Sequence, residues 1–459
     1  MTGPGPGAAD NRGEPAPDDT RWVAAAIDPD AVGRLVSDGV PEAIARVLAA
    51  RGFDGAAARD FLSPSLDRAP DPFAMKGMEA AVDALVSTAR RGERIVIFGD
   101  YDVDGVTAVA QLRAVFRALG ADAVPFLPHR VRDGYGLKPE TFRKVFAEHR
   151  PRAIVTVDCG ITAVEAVAEA ARAGVAVVIT DHHLPPDVLP AGAAVVNPKQ
   201  PGCGYPFKDL CGAGIAFKIA QAIIRRERLT LSERSLAKVA ALGTIADIVP
   251  LVGENRAIVA EGLAALSDPR APGLKALLAE AGIAGRAPTS EEVAFRVGPR
   301  LNAAGRLDTA DLALSVFEER DSGRAAGIAR ELSERNTERQ GHERRVVAEA
   351  RRRVLESGEA PDGIVIEAEA GWPRGVLGIA ASRLAREFRC PVFLFALDGE
   401  RAVGSGRSIP GLSLHEALSE IREHFVEFGG HAQACGGAVE AGRFAGFRER
   451  ARALFRERL

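Results

Sequence analysis

The order of apolar and polar residues between positions 78 and 200 alternates between two kinds of segment. Short apolar runs rich in β-branched residues predict buried strands, and the amphipathic segments between them predict helices. The predicted strands are 95–98, 123–127, 153–157, 175–180 and 193–196, and the predicted helices are 78–91, 106–119, 139–149 and 162–173. Because near-continuous apolar strands separated by helices are typical of a parallel sheet with both faces covered, this region predicts an α/β domain.

The segments on either side of this region have different patterns. Residues 1–20 are rich in Gly, Pro and Asp and lack the apolar core of a signal peptide, which predicts a disordered tail. Residues 322–357 are charged with sparse apolar positions, which predicts a long, mostly exposed helix that joins two domains. Strand-like runs at 363–366, 392–396 and 402–406 then alternate with predicted helices at 375–388 and 412–424. We therefore expect a second, smaller α/β domain after the long helix.

These patterns divide the chain into five predicted parts. Before the long helix, residues 212–265 predict helices broken at 243–250, and residues 268–311 predict a looser connector. The predicted parts are a disordered tail (1–20), a helical segment (21–77), an α/β domain (78–265), a helical connector (266–357) and a second α/β domain (358–459).

Three carboxylates follow the first predicted strand on alternate positions. Asp100, Asp102 and Asp104 lie between Gly99 and Gly105, where a helical pattern begins. Because Asp and Gly favour turns, an acidic turn is the alternative explanation. Three acids within five residues repel one another, however, and hard divalent cations prefer such oxygen ligands. The stretch therefore indicates a metal site.

Polar residues also follow two other predicted strands. Asp158 comes after 153–157, and Asp181, His182 and His183 come after 175–180. Taken alone, Asp158 is also compatible with an ordinary strand end. Because ligand sites of parallel sheets lie at the carboxyl ends of the strands, we expect these side chains to converge at one edge.

Such an oxygen-rich set with one or two imidazoles suits manganese or magnesium better than zinc. Two such ions ~4 Å apart activate a water and hold both oxygens of a phosphoryl displacement. The residues therefore predict hydrolysis of a phosphate ester or anhydride.

Composition narrows the class of protein further. The chain has 459 residues and a net charge of −3, which argues against a protein that coats nucleic acid but not against an enzyme with one local basic groove. The five cysteines are scattered without the paired spacing of a zinc site, so we expect a reducing, cytoplasmic environment. No stretch reaches the ~18 consecutive apolar residues of a membrane helix, so no membrane partner is expected.

Four motifs follow one another along this chain. They are Gly-Asp-Tyr-Asp-Val-Asp-Gly (99–105), Val-Thr-Val-Asp-Cys-Gly-Ile (155–161), Thr-Asp-His-His (180–183) and Gly-Thr-Ile-Ala-Asp-Ile-Val-Pro-Leu (243–251). In this order they resemble the motifs of the DHH phosphoesterase superfamily. Further motifs at 298–307, 336–340, 372–383 and 429–431 resemble the RecJ single-strand-specific exonucleases in particular. The resemblance runs from about residue 78 to about 442. It implies a two-domain α/β fold, with a parallel-sheet catalytic domain joined by a long helix to a smaller substrate-binding domain.

The resemblance implies a role for each matching residue of the acidic set. Asp102 would ligate one divalent ion, Asp104 the other, and Asp158 would bridge both. His182 and Asp247 would complete the shell of the second ion, and the two ions would be Mn²⁺ or Mg²⁺. Asp100, Asp181 and His183 would lie in or beside these shells or face the substrate. The implied catalytic residues are Asp100, Asp158, His182 and His183.

The resemblance also implies a substrate-binding set. Residues 404–408 and 429–431 match the two signature loops of the DHH-associated domain. Arg130, Arg306, Ser405 and Arg407 would grip a terminal 5′ phosphate, and His431 would contact the scissile phosphate or its neighbour. For each arginine the alternative is a surface charge or a salt bridge, and for His431 it is a structural cap.

The function implied is a metal-dependent 5′-to-3′ exonuclease on single-stranded DNA in repair and recombination. Its partners would be single-stranded DNA with a 5′ end, a single-strand-binding protein and a helicase. An alternative is a phosphodiesterase for short oligonucleotides or cyclic dinucleotides, because the chain stops at Leu459 without the oligonucleotide-binding barrel common in the family. A second alternative is an inactive scaffold protein, against which the complete set of Asp and His residues argues.

Overall fold

The computed structural model describes residues 23–356 and 363–458. The predicted tail and the first five residues of the predicted second domain lie outside these ranges. The chain separates into two compact units, Met1–Pro64 and Ser65–Leu459. The described part of the first unit has three short helices packed around Leu35, Ala45 and Leu48. These helices are α1 (Pro29–Ser37), α2 (Glu42–Ala50) and α3 (Gly55–Leu62).

The second unit begins with a parallel sheet of five strands in the order β2-β1-β3-β4-β5. The strands are β1 (Ile95–Phe98), β2 (Ala123–Phe126), β3 (Ala153–Val157), β4 (Ala176–Thr180) and β5 (Ala194–Val196). The helices around the sheet are α4 (Met78–Arg90), α5 (Val103–Leu119), α6 (Pro139–His149) and α7 (Val164–Arg172). Every residue of β1 and of β3 is buried, as their unbroken apolar runs predict.

Successive residues of β1 face opposite sides of the sheet. Ile95 and Ile97 belong to a core shared with α4 and α5, whereas Val96 and Phe98 pack with α6 and α7. From β1 the chain passes to β2, at one edge of the sheet, and then returns to form β3 on the other side of β1. In open α/β sheets a crevice forms at such a reversal, outside the carboxyl ends of the strands. The predicted parallel sheet is confirmed, and its reversal lies between the strands that precede Asp100 and Asp158.

A helical layer follows the sheet. It consists of α8 (Gly212–Glu227), α9 (Glu233–Ala246), α10 (Gly253–Ala265), α11 (Pro272–Glu280), α12 (Ser290–Glu292), α13 (Gly298–Leu307), α14 (Asp311–Glu318) and α15 (Ser322–Glu356). The expectation of a looser connector at 268–311 is wrong, because most of this segment is helical, with a π-helical turn at Val293–Val297. The break expected at 243–250 begins only after Ala246, since α9 continues through Gly243. The long exposed helix is confirmed as α15, which has 35 residues.

The second domain is a mixed sheet in the order β6-β7-β8-β10-β9. Its strands are β6 (Val365–Ala370), β7 (Val392–Asp398), β8 (Arg401–Arg407), β9 (Glu427–His431) and β10 (Ala434–Glu440). Its helices are α16 (Arg374–Phe388), α17 (Leu414–Ser419) and α18 (Phe444–Arg458). Only β6 and β7 are parallel, and α16 packs with α15 on one face of the sheet, while α17 and α18 cover the other.

Two expectations for this domain need correction. The segments expected to be Gly-rich loops lie largely in strands, since 404–407 belongs to β8 and 429–431 to β9. Gly404 serves packing, because a Cβ at this position would lie 2.5 Å from the Phe395 ring. The helix expected at 412–424 is limited to α17 and a short 3₁₀ turn. Among the helices of the described ranges, none combines the length and the hydropathy that a membrane span requires.

Candidate metal centre

The acidic turn after β1 is held by its own backbone. The Asp102 carboxylate accepts hydrogen bonds from the amides of Asp104 (3.0 Å) and Gly105 (3.1 Å), which makes it the N-cap of α5. For that reason α5 begins at Val103, three residues before the predicted start. A Cβ at position 105 would lie 2.6 Å from the backbone nitrogen of Asp100, so the turn requires glycine there. The turn brings all three carboxylates to the carboxyl end of β1.

Asp104 is anchored at the start of α8. Its two carboxylate oxygens accept hydrogen bonds from the amides of Gly212 (2.6 Å) and Ala213 (2.7 Å). The positive end of the α8 dipole partly offsets the negative charge. Burial nevertheless raises the pKa of Asp104 above its ordinary value. Each oxygen has a second lone pair, so this anchoring is compatible with metal binding.

Asp158 has an unusual backbone at the end of β3. Its φ is +62°, in the left-handed region that Asp and Asn tolerate better than most residues. A Cβ at position 212 would overlap the Asp158 side chain, so Gly212 is required for this close approach. Asp158 Oδ1 is buried without hydrogen-bond geometry to any described residue, although the Nε2 atom of His182 lies 3.1 Å away.

The residues after β4 form a connected group around Asp181. Its carboxylate accepts from the amides of Ile161 (2.9 Å), His182 (2.7 Å) and His183 (3.1 Å). It also pairs with Nδ1 of His183 at 2.7 Å. Burial alone would raise the pKa of Asp181, but the bond and the charge of His183 lower it overall. Asp181 therefore holds the backbone of both histidines and positions the ring of His183. Tyr135, which the sequence did not single out, places its hydroxyl 3.3 Å from the same Nδ1 atom.

Three carboxylates lie around one ring nitrogen of His182. Its Nε2 atom lies 3.1 Å from Asp158, 3.8 Å from Asp247 and 3.9 Å from Asp104. Burial lowers the pKa of His182 to about 4, so the ring is neutral at pH 7, as a metal ligand must be. Burial and the nearby Asp104 and Asp102 raise the pKa of Asp247 to about 8.

The predicted ligands form three overlapping groups, in each of which the ligand atoms lie within 4.8 Å of one another. The groups are Asp100–Asp102–Asp158, Asp104–His182–Asp247 and Asp158–His182–His183. Burial and the charges of neighbouring carboxylates raise the pKa values of Asp100 and Asp158 well above their ordinary range. One buried oxygen on each has no hydrogen-bond partner among the described residues. Orphaned oxygens and mutual repulsion fit hard divalent cations such as Mn²⁺ or Mg²⁺.

Arginines gather beside this acidic group. The Arg130 guanidinium lies 4.0 Å from the centroid of the Tyr101 ring, and its buried Nε has no hydrogen-bond partner in the described chain. Arg407 donates to Ser405 Oγ (3.1 Å) and to the carbonyl of Gly406 (2.8 Å). We call Arg130, Arg306, Arg339 and Arg407 the arginine cluster.

The pKa of Arg306 depends on the charges of the other three members of the arginine cluster. Burial, followed by the charges of Arg130 and Arg339, lowers its pKa to about 9, with a smaller contribution from Arg407. Asp102 acts in the opposite direction, so the cluster lies within electrostatic reach of the acidic turn. The sequence did not single out Arg339, although the motif at 336–340 contains it. In the structure it is a buried arginine within a mostly exposed helix. Its side chain donates to Asn336 Oδ1 at 3.0 and 3.2 Å.

His431 is a predicted site residue for which the described part of the chain shows no contact with the other predicted site residues. It ends β9 and is exposed. In the described part of the chain its side chain makes no hydrogen bond to the acidic group or to the arginine cluster. Its predicted contact with the substrate stays a prediction.

Gly375 controls how closely α16 approaches α13. The carbonyl oxygen of Gly375 accepts a hydrogen bond from Arg306 Nη1 (3.1 Å), and a Cβ on Gly375 would overlap the backbone carbonyl of Arg306. We expect Gly375→Ala to push the two helices apart and to lower the free energy of unfolding by about 1–3 kcal/mol, measured by urea denaturation.

Gly341→Ala is the matched control for this substitution. Gly341 lies inside α15 with open space around the added methyl group. It should stabilise the protein by up to about 1 kcal/mol, since Ala is the better helix former. An unchanged stability in Gly375→Ala would contradict the close packing described here.

Comparison with known proteins agrees with this geometry. The N-terminal domain of the DHH family matches residues 94–244, and the DHHA1 domain matches residues 362–457. The RecJ single-stranded-DNA-specific exonuclease of Bacillus subtilis is 40% identical over 425 residues, which are 92% of this chain and 53% of that protein. The chain thus spans about half the length of that relative. RecJ of Salmonella typhimurium is 38% identical and covers 82% of this chain and 68% of its own length.

Solved structures agree as well. The crystal structure of Thermus thermophilus RecJ in complex with Mn²⁺ superposes with a TM-score of 0.81 at 34% identity, over 94% of this chain and 61% of that one. A structure of the same protein with Mg²⁺ has a TM-score of 0.74 at 31% identity, over 94% of this chain and 59% of that one. Together with the two matched domains and their connecting helix, these similarities show that the chain belongs to the RecJ family of DHH proteins.

Proposed function

We propose that this chain is a metal-dependent exonuclease that removes nucleotides from the 5′ end of single-stranded DNA, in repair and recombination. The observation that carries the proposal is the juxtaposition of a buried carboxylate and histidine group with the arginine cluster. Arg130 and Arg306 are close enough to Asp102 for their charges to interact with its carboxylate. Phosphodiester hydrolysis needs both parts, since one holds cations and the other holds the anionic substrate.

The acidic group is proposed to hold two Mn²⁺ or Mg²⁺ ions. The ligands would be Asp102, Asp104, Asp158, His182 and Asp247, with Asp100 and His183 beside them. When bound, the ions would supply an activated water and stabilise charge on the phosphate. The chain itself keeps His182 neutral, anchors Asp104 on the α8 amides and orients His183 through Asp181. These contacts hold the donor atoms ready before the substrate arrives.

The arginine cluster is proposed to hold the terminal 5′ phosphate through Arg130, Arg306, Arg407 and Ser405. Guanidinium groups donate two parallel hydrogen bonds to a phosphate, and partial burial strengthens them. Because this phosphate would be the end of the strand, the first phosphodiester bond beyond it would be the one nearest the acidic group. The proposed 5′-to-3′ polarity rests on that placement.

A nuclease assay with Mn²⁺ tests metal dependence, polarity and strand preference together. We expect a 5′-labelled single strand to release its label at once as a mononucleotide, and a 3′-labelled strand to shorten progressively. Excess chelator should stop both reactions, and a duplex of the same sequence should resist. Immediate release of a 3′ label would contradict the proposed polarity.

Two further measurements test the alternative functions. Faster turnover of a linear or cyclic dinucleotide than of a long strand would favour the phosphodiesterase for short substrates. No Mn²⁺ binding by calorimetry would favour an inactive scaffold. A single-strand-binding protein and a helicase as partners, and a cytoplasmic location, stay predictions.

A further inference from the structure

A cavity of about 510 Å³ opens in the second domain between the end of α16 and the end of β8. Three arginines line it, Arg386, Arg389 and Arg407, and none of the described residues that line it is acidic. Arg386 and Arg389 have no carboxylate within salt-bridge distance in the described chain. The positive charge of the cavity is therefore not balanced by acidic side chains in its wall, which suits an anionic ligand.

The remaining surface of the cavity is mainly apolar. Ala385, Ile409 and Pro410 contribute side-chain carbon atoms, and the arginine stems add more. Pockets of 300–1,000 Å³ with apolar walls and a few polar groups are typical of small-ligand sites. A nucleobase stacks on such walls and on guanidinium planes, and a phosphate binds guanidinium groups. One nucleotide combines both parts.

Hydrogen bonds make one side of this cavity rigid. The amide of Ser408 donates to the carbonyl of Gln433 (2.9 Å), and the Ser408 hydroxyl donates to the carbonyl of Leu412 (2.8 Å). The Gln433 side-chain amide also donates to Leu412 (3.3 Å). The turn after β8 is thus tied to the turn before β10, and the cavity exists before a ligand binds.

Arg407 links this cavity to the arginine cluster. It lines the cavity, and the charge of Arg130 also contributes to lowering its pKa, after burial. A Cβ on Gly378 would lie 2.7 Å from Arg407 Nη2, so the guanidinium packs against the backbone of α16. Arg386 and Arg389 lie at the end of α16, where cations also offset the negative end of a helix dipole. Arg407, on β8, has no such role.

We infer that this cavity binds one nucleotide, with its base against the apolar residues and its phosphate against Arg386, Arg389 and Arg407. The binding does not depend on the proposed exonuclease activity. The nucleotide has two possible sources, a free mononucleotide or the terminal nucleotide of a bound strand.

Calorimetry with thymidine 5′-monophosphate in the presence of chelator, without divalent metal, tests the inference. Thymidine alone and inorganic phosphate alone should each bind about tenfold more weakly than the nucleotide, since each makes half of the contacts. The double variant Arg386→Glu/Arg389→Glu should lose at least about tenfold in affinity for the nucleotide. Both arginines are exposed, so the fold should tolerate the change; Gln at both positions should give a smaller loss.

Two single variants serve as controls. Arg383→Glu reverses an exposed charge on the same helix outside the cavity and should leave the affinity unchanged. Arg130→Ala removes a member of the arginine cluster that does not line the cavity, so it removes a phosphate contact of the competing site and none of this one. Loss of binding in Arg130→Ala with normal binding in the double variant would place the nucleotide in the arginine cluster and overturn the inference. An absence of binding by the unaltered protein would overturn it too.

A saturating 5′-phosphorylated oligothymidine distinguishes the two sources. If the terminal nucleotide of the strand occupies the cavity, the strand should block the mononucleotide competitively. If a free nucleotide is the ligand, both should bind together. Either result, with the expected loss in the double variant, supports the site.

Discussion

Asp158→Asn is expected to reduce metal-dependent hydrolysis of single-stranded DNA by about a thousandfold or more, while the protein stays folded. Asp158 belongs to two of the three groups of candidate ligands, so its charge serves both proposed ions. Metal ions contribute several kcal/mol to the stabilisation of a transition state, and about 4 kcal/mol corresponds to a thousandfold. Gel assays with a 5′-labelled strand and Mn²⁺ measure the loss.

Although Asp158→Asn lowers activity, it should raise the stability of the metal-free protein. Without metal, removing one of several buried like charges relieves repulsion, so the melting temperature of Asp158→Asn should exceed that of the unaltered protein. Addition of Mn²⁺ should raise the melting temperature of the unaltered protein much more than that of the variant. Asn also tolerates the positive φ of this position, whereas Ala would add strain.

Asp187→Asn is the matched control, since Asp187 is exposed on the loop after the histidines. It should change neither nuclease activity nor the response to Mn²⁺. Digestion by Asp158→Asn at the unaltered rate would show that the metal site is assigned wrongly.

Arg306→Ala is expected to lower kcat/KM for a 5′-phosphorylated strand by about tenfold to a hundredfold. Hydrogen bonds to charged groups contribute about 1.5–3 kcal/mol, and each 1.4 kcal/mol is a factor of ten. A strand with a 5′ hydroxyl should be affected much less, because it lacks the phosphate that Arg306 is proposed to bind. Initial rates on the two strands, measured over a range of concentrations, give the comparison.

The hydrogen bond from Arg306 to Gly375 makes controls necessary. Arg306→Lys keeps the charge but not the planar fork, and it should give an intermediate loss. Arg300→Ala removes an arginine of the same helix that donates to Ser333 and to the carbonyls of Glu280 and Arg296. It should lower stability without changing the preference for a 5′ phosphate. An equal loss on both strands in Arg306→Ala would assign Arg306 a structural role only.

Much of the candidate metal centre could be predicted from the sequence, because most of its residues directly follow predicted strands. Parallel strands separated by helices bring their carboxyl ends to one edge, whatever the details of packing. Asp100, Asp102, Asp104 and Asp158 could therefore be placed together before any coordinates. Asp247 is different, since it follows a helix, and only the resemblance to the family indicated it.

The assembly of the arginine cluster could not be predicted from local sequence patterns, because it depends on tertiary structure. Arg130, Arg306 and Arg407 come from distant parts of the chain, and periodicity alone gives no reason for them to meet. Arg339 escapes sequence reasoning because a charged residue on a long exposed helix is usually solvated. Its burial results from the packing of α15 against α13 and α16.

The alternation of strands and helices, the acidic turn and the family resemblance could be read from the sequence, because these depend on local composition and spacing. Three other features became clear only from the packing of the folded chain: the Gly-rich segments of the second domain are strands, residues 268–311 are mostly helical, and His431 is exposed. Small residues permit a turn, a strand or a tight helix contact equally well. Which of these forms depends on neighbours such as Phe395, which come from elsewhere in the chain.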